Sequence, residues 1–304
     1  MNTNIDNKTK NEFLKKFVDE KYDDLLNDIN AYTSEFGDSD FTFSLLGNIF
    51  YNTKKYKESI DAFQNEIKIS QENHFLPYYN LGRNYERLGD SIQAIKNYLE
   101  SHKLNPNKFE TNYNLAMIYA IQDDKIKCEE FFSYAYNINS QDHMLIVNYL
   151  SLLHRLKKYQ EGVKIAEKAP KEIEKYFQFT YNYALMLYEV GDLKKANNEN
   201  EKVLNYVKKV DKQVYTDCLV LKMNILNDTN ENKKAIKIGL DILEKDPHHY
   251  ATLKSLSTSF AHIGNHHASI MLNRLSDGNI RFENDKSGVI NLFLHNKDKV
   301  LLNG

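Results

Sequence analysis

The sequence predicts an all-α fold, a solenoid of stacked antiparallel helix pairs, and three observations predict it. A pattern of apolar and small residues recurs at a period of about 34 residues. Each recurrence carries two apolar stripes at helical spacing with a turn between them. The chain has only four prolines and eleven glycines in 304 residues, too few for long loops. These features indicate repeats that each contact only their neighbours.

The clearest repeat begins at Phe75 and predicts two amphipathic helices, with a glycine turn between them and a proline after the second. Its marker residues are Tyr78, Leu81, Gly82, Tyr85, Gly89, Ala94, Tyr98 and Pro106. Three more repeats follow in the same register, beginning near Phe109, His143 and Phe177. Four repeats in phase exclude a chance match of one segment.

Small residues recur where two helices must approach each other. A bulky side chain at these places would hold packed helices beyond their usual spacing of about 8–10 Å. The places are occupied in the first helices by Gly82, Ala116 and Ala184, and in the second helices by Ala94, Cys128, Gly162 and Ala196. The sequence therefore predicts close helix contacts at these positions.

The stretch YNLGRNYERLGD from Tyr79 to Asp90, followed by AIKNYLESHKLNPN from Ala94 to Asn107, resembles the tetratricopeptide repeats. The resemblance implies helix pairs that stack into a right-handed superhelical solenoid, of about seven repeats plus a partial N-terminal one. The predicted repeats lie near 12–39, 40–74, 75–108, 109–142, 143–176, 177–215, 216–249 and 250–276. We expect a disordered tail at 1–11, and at 277–304 either a cap or the stub of a further domain.

Composition and charge narrow the class of partner. The net charge is -2, and no Lys/Arg stripe is interleaved with aromatic residues, which argues against nucleic acid as a partner. No apolar run approaches the length of about 20 residues that a membrane span needs, and the polar N-terminus does not read as a secretory signal. We therefore expect a cytoplasmic protein without membrane contact, in which Cys128 and Cys218 are free buried thiols.

No motif of a catalytic centre is present. The sequence contains no H-E-x-x-H, no phosphate-binding glycine loop and no G-x-S-x-G turn. Five histidines lie between His248 and His267, but Gly264 separates His262 from His266, which predicts different helices for these two. We therefore expect no enzyme activity, no catalytic residues, no metal and no cofactor.

A row of asparagines is the candidate binding feature. Asn80, Asn114, Asn148 and Asn182 hold one place, about one repeat apart, in four first helices. An amide offers two donors and an acceptor, so such a row can bind the backbone of an extended peptide whatever its side chains are. The resemblance implies the same role, because this asparagine holds bound polypeptide in some tetratricopeptide proteins, among them the repeats of O-linked N-acetylglucosamine transferase. Alternatively, these residues brace neighbouring helices.

Aromatic and arginine residues on the same helix face are candidate anchors for the partner. Together with the asparagines, the predicted peptide-binding residues are Tyr79, Arg83, Arg87, Tyr113, Met117, Arg155, Tyr181 and Tyr188. The alternative for the aromatic residues is that they pack between repeats. A clamp for a chaperone C-terminus, known from some family members, is disfavoured because the paired basic residues are missing.

The sequence thus predicts a non-catalytic scaffold or adaptor that binds a peptide or protein segment in a concave groove. The alternative from another class is a substrate-recruiting or regulatory arm of an enzyme, of transferase or oxygenase type, whose catalytic part lies outside this chain. Both functions follow from sites on the fold rather than from the fold itself.

Overall fold

The computed structural model describes residues 5–70, 74–278, 280–284 and 290–294. Within these residues it has sixteen α-helices, a 3₁₀ helix at Lys171–Lys175 and one hairpin. The α-helices are α1 (Asn7–Val18), α2 (Tyr22–Phe36), α3 (Asp40–Asn52), α4 (Tyr56–Ile69), α5 (Phe75–Arg87), α6 (Ser91–Leu104), α7 (Phe109–Ile121), α8 (Lys125–Ile138), α9 (His143–Arg155), α10 (Tyr159–Lys168), α11 (Phe177–Glu189), α12 (Leu193–Val207), α13 (Lys212–Asp228), α14 (Asn232–Leu243), α15 (Tyr250–His262) and α16 (His266–Ser276). The predicted all-α class is confirmed.

The turn inside a helix pair repeats its backbone conformation in four successive pairs. One residue of each turn has a left-handed φ between 57° and 86°: Gly89, Asp123, Lys157 and Gly191. Glycine adopts this region without strain, and aspartate adopts it more easily than most other residues. In three of these pairs an aspartate follows and caps the second helix, since its carboxylate accepts a backbone N–H at 3.0–3.1 Å: Asp90, Asp124 and Asp192.

Gly82 and Gly162 explain why small residues recur. The ring of the fully buried Tyr98, on α6, lies over Gly82 on α5, and a Cβ at Gly82 would be 2.6 Å from it. Gly162 on α10 lies under the side chain of Met186 on α11 in the same manner. The remaining predicted small residues are all buried: Ala94, Ala116, Cys128, Ala184 and Ala196. The predicted close contacts are therefore present at Gly82 and Gly162, and the other predicted positions are buried.

The chain divides into two compact units, unit 1 at Met1–Leu145 and unit 2 at Ile146–Gly304, with the division inside α9. Consecutive helices pack on one another from α1 to α8 in unit 1 and from α10 to α16 in unit 2. In unit 1, one core cluster joins α1, α2 and α3 through Phe13, Leu25 and Ile49. In unit 2, Leu187 and Leu221 belong to a cluster that joins α11, α12 and α13.

The expected disordered tail at 1–11 is wrong for residues 7–11, which form the start of α1. Asp6 caps this helix, because its carboxylate accepts the backbone N–H of Lys8 at 2.9 Å and of Thr9 at 3.0 Å. Phe13 then contributes to the core, which ties the helix to the rest of unit 1. Residues 1–4 lie outside the described part of the chain.

The repeat boundary predicted between 215 and 216 falls inside α13 rather than between two helices. Asp211 starts α13 at Lys212, since its carboxylate accepts two backbone N–H groups at 3.0 Å. The helix therefore has 17 residues, against 13 in α11. An N-cap residue decided the boundary that the apolar spacing had placed later.

A β-hairpin follows α16, which the sequence did not predict. Strand β1 (Ile280–Asn284) pairs antiparallel with β2 (Ile290–Leu294), with Ile280 opposite Leu294, and β1 contacts α16. This hairpin lies in the segment 277–304 that was expected to be a cap or the stub of a further domain.

Candidate functional site

The four asparagines of the predicted row lie on first helices, each two residues before a position that faces the partner helix. Asn80 and Asn114 belong to α5 and α7 in unit 1, and Asn148 and Asn182 to α9 and α11 in unit 2. All four are half-buried.

Two of these asparagines use one amide hydrogen inside the protein. Nδ2 of Asn114 donates to the hydroxyl oxygen of Tyr98 at 3.0 Å, and the Tyr98 hydroxyl donates to the Glu86 carboxylate. In unit 2, Nδ2 of Asn182 donates to the backbone carbonyl of Val147 at 3.3 Å. An amide nitrogen carries two hydrogens, so each side chain retains a second donor and its Oδ1 acceptor.

Arg83 and Arg87 form a cluster with Tyr51 in unit 1. The guanidinium carbon of Arg83 lies 4.1 Å from the centroid of the Tyr51 ring, and Nε of Arg87 donates to the Tyr51 hydroxyl at 3.2 Å. Within the described residues neither arginine pairs with a carboxylate. Tyr51 therefore orders two guanidinium groups one helical turn apart without neutralising them.

Tyr79 lies beside this cluster and is held by its neighbours. Its ring centroid lies 5.7 Å from the guanidinium carbon of Arg83, 5.4 Å from Nζ of Lys108 and 5.9 Å from the ring of Tyr98. Burial raises the pKa of Tyr79, so the hydroxyl stays neutral and can donate a hydrogen bond. Lys108 is paired with Glu110 at 2.6 Å, which leaves the arginines as the cations open to a ligand here.

Tyr113 and Met117 on α7 are half-buried. The Tyr113 ring stacks on Phe109 with centroids 5.9 Å apart and meets the edge of the Phe132 ring at 6.2 Å. The contact with Phe132, on α8, ties Tyr113 to the second helix of its pair. Tyr113 thus packs between helices and presents only part of its ring to the first-helix side.

The predicted anchors of unit 2 differ from those of unit 1 in their charge partners. Burial and a hydrogen bond to the Asp228 carboxylate raise the pKa of Tyr188. Tyr181 packs against the core clusters of α11, α12 and α13, and its pKa is raised by burial and then by Asp217. Arg155 is exposed at the end of α9. Carboxylates, rather than open guanidinium groups, accompany the tyrosines in this unit.

His154 lies beside Arg155 in the last turn of α9. Its ring lies 5.6 Å from that of Tyr159, and its buried Nε2 has no hydrogen-bond partner among the described residues. Burial lowers the pKa of His154, which a weaker attraction to Glu189 opposes. The imidazole is therefore neutral at pH 7 and offers an acceptor or donor rather than a charge.

The structure adds Tyr51 and Tyr98 to the predicted residues of unit 1. Tyr51 lies four residues after Gly47, as Tyr188 lies four residues after Ala184. The register that selected Tyr188 could therefore have selected Tyr51 as well. The register did not select Tyr98, because an aromatic residue at a second-helix position is typical of the core. Its contact with Asn114 is made by the hydroxyl group alone.

Three further features of the described residues bear on function: possible metal ligands, the cysteines, and the length of the apolar helices. No group of three or more His, Cys, Asp or Glu side chains there is placed to hold a metal ion. His262 and His266 lie on different helices, as predicted from Gly264. Cys128 and Cys218 are buried and are not joined in a disulfide, and burial raises the pKa of Cys218 to about 12. No helix in the described residues is both long and apolar enough to cross a bilayer.

Comparison with known proteins agrees with this architecture. The family model for the tetratricopeptide repeat matches residues 77–108. Over most of the chain the described fold is also similar to that of a solved tetratricopeptide structure. The predicted resemblance to the tetratricopeptide repeats is confirmed: residues 77–108 match the model of this family, and the helical fold is similar to that of solved tetratricopeptide structures.

Three solved structures illustrate the similarity. The C-terminal part of a tetratricopeptide-repeat protein from Cytophaga hutchinsonii is 13% identical, with a TM-score of 0.56 over 81% of this chain and 99% of that one. A chain of Naa15/Naa10 bound to HypK-THB is 16% identical, with a TM-score of 0.53 over 83% of this chain. PilW, a widely conserved type IV pilus biogenesis factor, is 17% identical, with a TM-score of 0.51 over 67% of this chain and 93% of that one.

These likenesses concern the fold, because the identities are low. This chain spans 38% of the length of the Naa15/Naa10 chain that it matches. A search of curated proteins gave no significant match.

Proposed function

We propose that this protein is a non-catalytic scaffold or adaptor that holds a peptide or protein segment along the first-helix side of its repeats. The observation that carries the proposal is the half-buried asparagine at one place in four consecutive first helices. Asn114 and Asn182 are each fixed by one hydrogen bond and retain a donor and an acceptor for a ligand. A ligand backbone offers both complementary groups at every residue except proline.

The bracing contacts support this function. A side chain already held in one rotamer loses less conformational entropy when a ligand binds, so the same hydrogen bond contributes more to affinity. The hydroxyl of Tyr98 and the carbonyl of Val147 supply this order for Asn114 and Asn182. Bracing of helices and binding of a ligand are thus compatible roles for one amide.

The arginine and tyrosine residues of unit 1 supply the part of recognition that depends on sequence. Arg83 and Arg87 lack carboxylate partners in the described residues, so an acidic side chain of the ligand finds two ordered guanidinium groups. Fold likeness is consistent with binding to protein: one similar structure is a complex of Naa15/Naa10 with HypK-THB. A cytoplasmic location and the absence of enzyme activity complete the proposal.

The test begins with affinity capture from host lysate. The wild-type chain is compared with a variant carrying Asn80→Ala, Asn114→Ala, Asn148→Ala and Asn182→Ala, after circular dichroism has shown equal helicity. A matched control carries Asn107→Ala and Asn273→Ala, two exposed asparagines away from the row. We expect a set of proteins that the wild type and the control retain and the fourfold variant loses.

A second step separates backbone recognition from recognition of side chains. The bound segment of a captured protein is mapped, synthesised and titrated as a labelled peptide, beside versions with N-methylated backbone amides or with exchanged side chains. We expect N-methylation at alternate residues to weaken binding at least tenfold, as loss of several hydrogen bonds requires. Retention of the same proteins by the fourfold variant, or indifference to N-methylation, would show that the row is only structural.

A further inference from the structure

Unit 2 has a trough between two second helices of its repeats, and the residues that line it differ in charge from those around the asparagine row. Its walls are α12 and α14, and its floor is the C-terminal half of α13, together enclosing about 800 Å³. The lining is partly aliphatic: the half-buried Leu193 and Ile238 lie on the walls, and the nearly buried Ile225 and Leu226 lie at the floor. We call this feature the α12–α14 trough.

The charges on the walls of this trough are unbalanced. Lys222 pairs with Glu201 at 2.6 Å, and Lys234 pairs with Glu231. Lys194 on α12 and Lys237 on α14 line opposite walls and have no ion-pair partner among the described residues. A ligand in the trough therefore meets two uncompensated ammonium groups, one on each wall, above an apolar floor.

Neutral polar groups complete the lining. Asn197 and Asn198 on α12 contribute amides, which can donate to carboxylate or backbone oxygens, and Thr229 contributes a hydroxyl. From Lys194 to Glu201 the wall rises about 10 Å, at 1.5 Å per residue of helix. This length matches about two helical turns or three to four extended residues of a ligand.

This lining is not a general property of the repeats. The places one and two repeats before Lys194, at intervals of 34 residues, hold Gln160 and Ile126. Two repeats before Asn197 and Asn198, at an interval of 68 residues, α8 carries the acidic residues Glu129 and Glu130. The basic and amide lining therefore arises from residues particular to this part of the chain.

We propose that the α12–α14 trough binds an acidic segment of a partner protein, in which carboxylates flank aliphatic side chains. The aliphatic side chains of the ligand pack on Leu193 and Ile238, above Ile225 and Leu226, while the flanking carboxylates pair with Lys194 and Lys237. Charge complementarity selects this occupant, because the open lysines reject a basic segment and the apolar floor rewards more than a simple anion. This surface is separate from the asparagine row, so the proposal does not depend on it.

The probe is a fluorescein-labelled peptide with a leucine pair between two glutamates on each side, measured by fluorescence anisotropy at low and at physiological salt. A second probe replaces the glutamates by glutamines. The test variant carries Lys194→Glu and Lys237→Glu. The control carries Lys96→Glu and Lys164→Glu, the same charge change at exposed lysines on other second helices.

We expect wild type and control to bind the acidic peptide with a salt-dependent affinity, and the test variant to bind it at least tenfold more weakly. The glutamine peptide should bind weakly to all three proteins. The fourfold asparagine variant should bind the acidic peptide as wild type does, which separates this site from the proposed function above. Three results would overturn the proposal: no binding by wild type at 1 mM peptide, equal affinity of test and control variants, or a wild-type dimer in sedimentation that the test variant loses, which would assign the trough to a second copy.

Discussion

The contacts around Gly82 and around Gly162 solve one packing problem with two different side chains. Over Gly82 lies the rigid ring of Tyr98, whose hydroxyl contacts Glu86 and Asn114. Over Gly162 lies Met186, an unbranched side chain with no hydrogen bond to the asparagine row. In unit 1, core packing and the first-helix side are therefore connected through one residue, whereas in unit 2 Asn182 depends on the backbone of Val147.

The largest expected effect tests the packing half of this comparison. Gly82→Leu must displace the buried Tyr98 ring, and we expect destabilisation of about 3 kcal/mol, or a melting temperature lower by about 6–12 °C. Gly162→Leu should cost about half as much, because Met186 can change rotamer. Lys96→Glu, an exposed change on α6, should stay within about 0.5 kcal/mol of wild type.

Thermal unfolding followed by circular dichroism measures all three variants under one condition. Equal melting temperatures for Gly82→Leu and Lys96→Glu would remove the packing argument. If Gly162→Leu is as damaging as Gly82→Leu, the difference in rigidity between the tyrosine and the methionine has no consequence, and only the space matters.

A second comparison concerns Glu66, a buried acid at another second-helix position. Glu66 on α4 lies nineteen residues after Gly47, as Ser101 on α6 lies nineteen residues after Gly82. The hydroxyl groups of Ser101 and Thr111 form a hydrogen bond at 3.1 Å, whereas Oε2 of Glu66 has no hydrogen-bond partner in the described residues. Burial, and then Asp40, raise the pKa of Glu66 from 4.5 to about 8, although a hydrogen bond from Ser44 opposes this.

The sign of the pH effect follows from proton binding. Between about pH 4.5 and 8 the folded state holds a proton on Glu66 that the unfolded state has lost, so stability falls as pH rises through this window. We expect Glu66→Gln to flatten this dependence and to melt above wild type at pH 9, but close to it at pH 5. Glu58→Gln, an exposed change on the same helix, serves as the control. Parallel curves of melting temperature against pH for wild type and Glu66→Gln would contradict the assignment.

The fold was largely predictable because two independent sequence patterns indicate helix pairs. The small residues at Gly82 and Ala116 mark helix contacts, and the apolar stripes mark the faces. The start of α13 was missed because one N-cap, Asp211, overrode the apolar register. The hairpin after α16 was missed because the segment from Asp277 shows no helical period, and a short alternation in so polar a stretch gives little strand signal.

The candidate site was predictable only in its positions. Spacing placed Asn80 and Asn114 on one side of their helices, but spacing says nothing about which hydrogen bonds a side chain already makes. The bond from Asn114 to Tyr98 joins two helices across sixteen residues of chain, and it depends on the ring being buried over Gly82. Such a contact is a product of packing and has no local pattern in the sequence.

The smallest expected effect tests the connection itself. Tyr98→Phe keeps the ring over Gly82 but removes the hydroxyl that orders Asn114 and Glu86, so we expect a loss of only about 1 kcal/mol in stability. The side-chain amide signal of Asn114 in an NMR spectrum should shift and broaden, and a peptide that binds the asparagine row should bind about three- to tenfold more weakly. Met186→Leu, the matched change in unit 2, should leave the Asn182 amide signal and the affinity unchanged. An undisturbed Asn114 signal in Tyr98→Phe would mean that its order comes from α7 alone, and that core packing and the asparagine row are as independent in unit 1 as they are in unit 2.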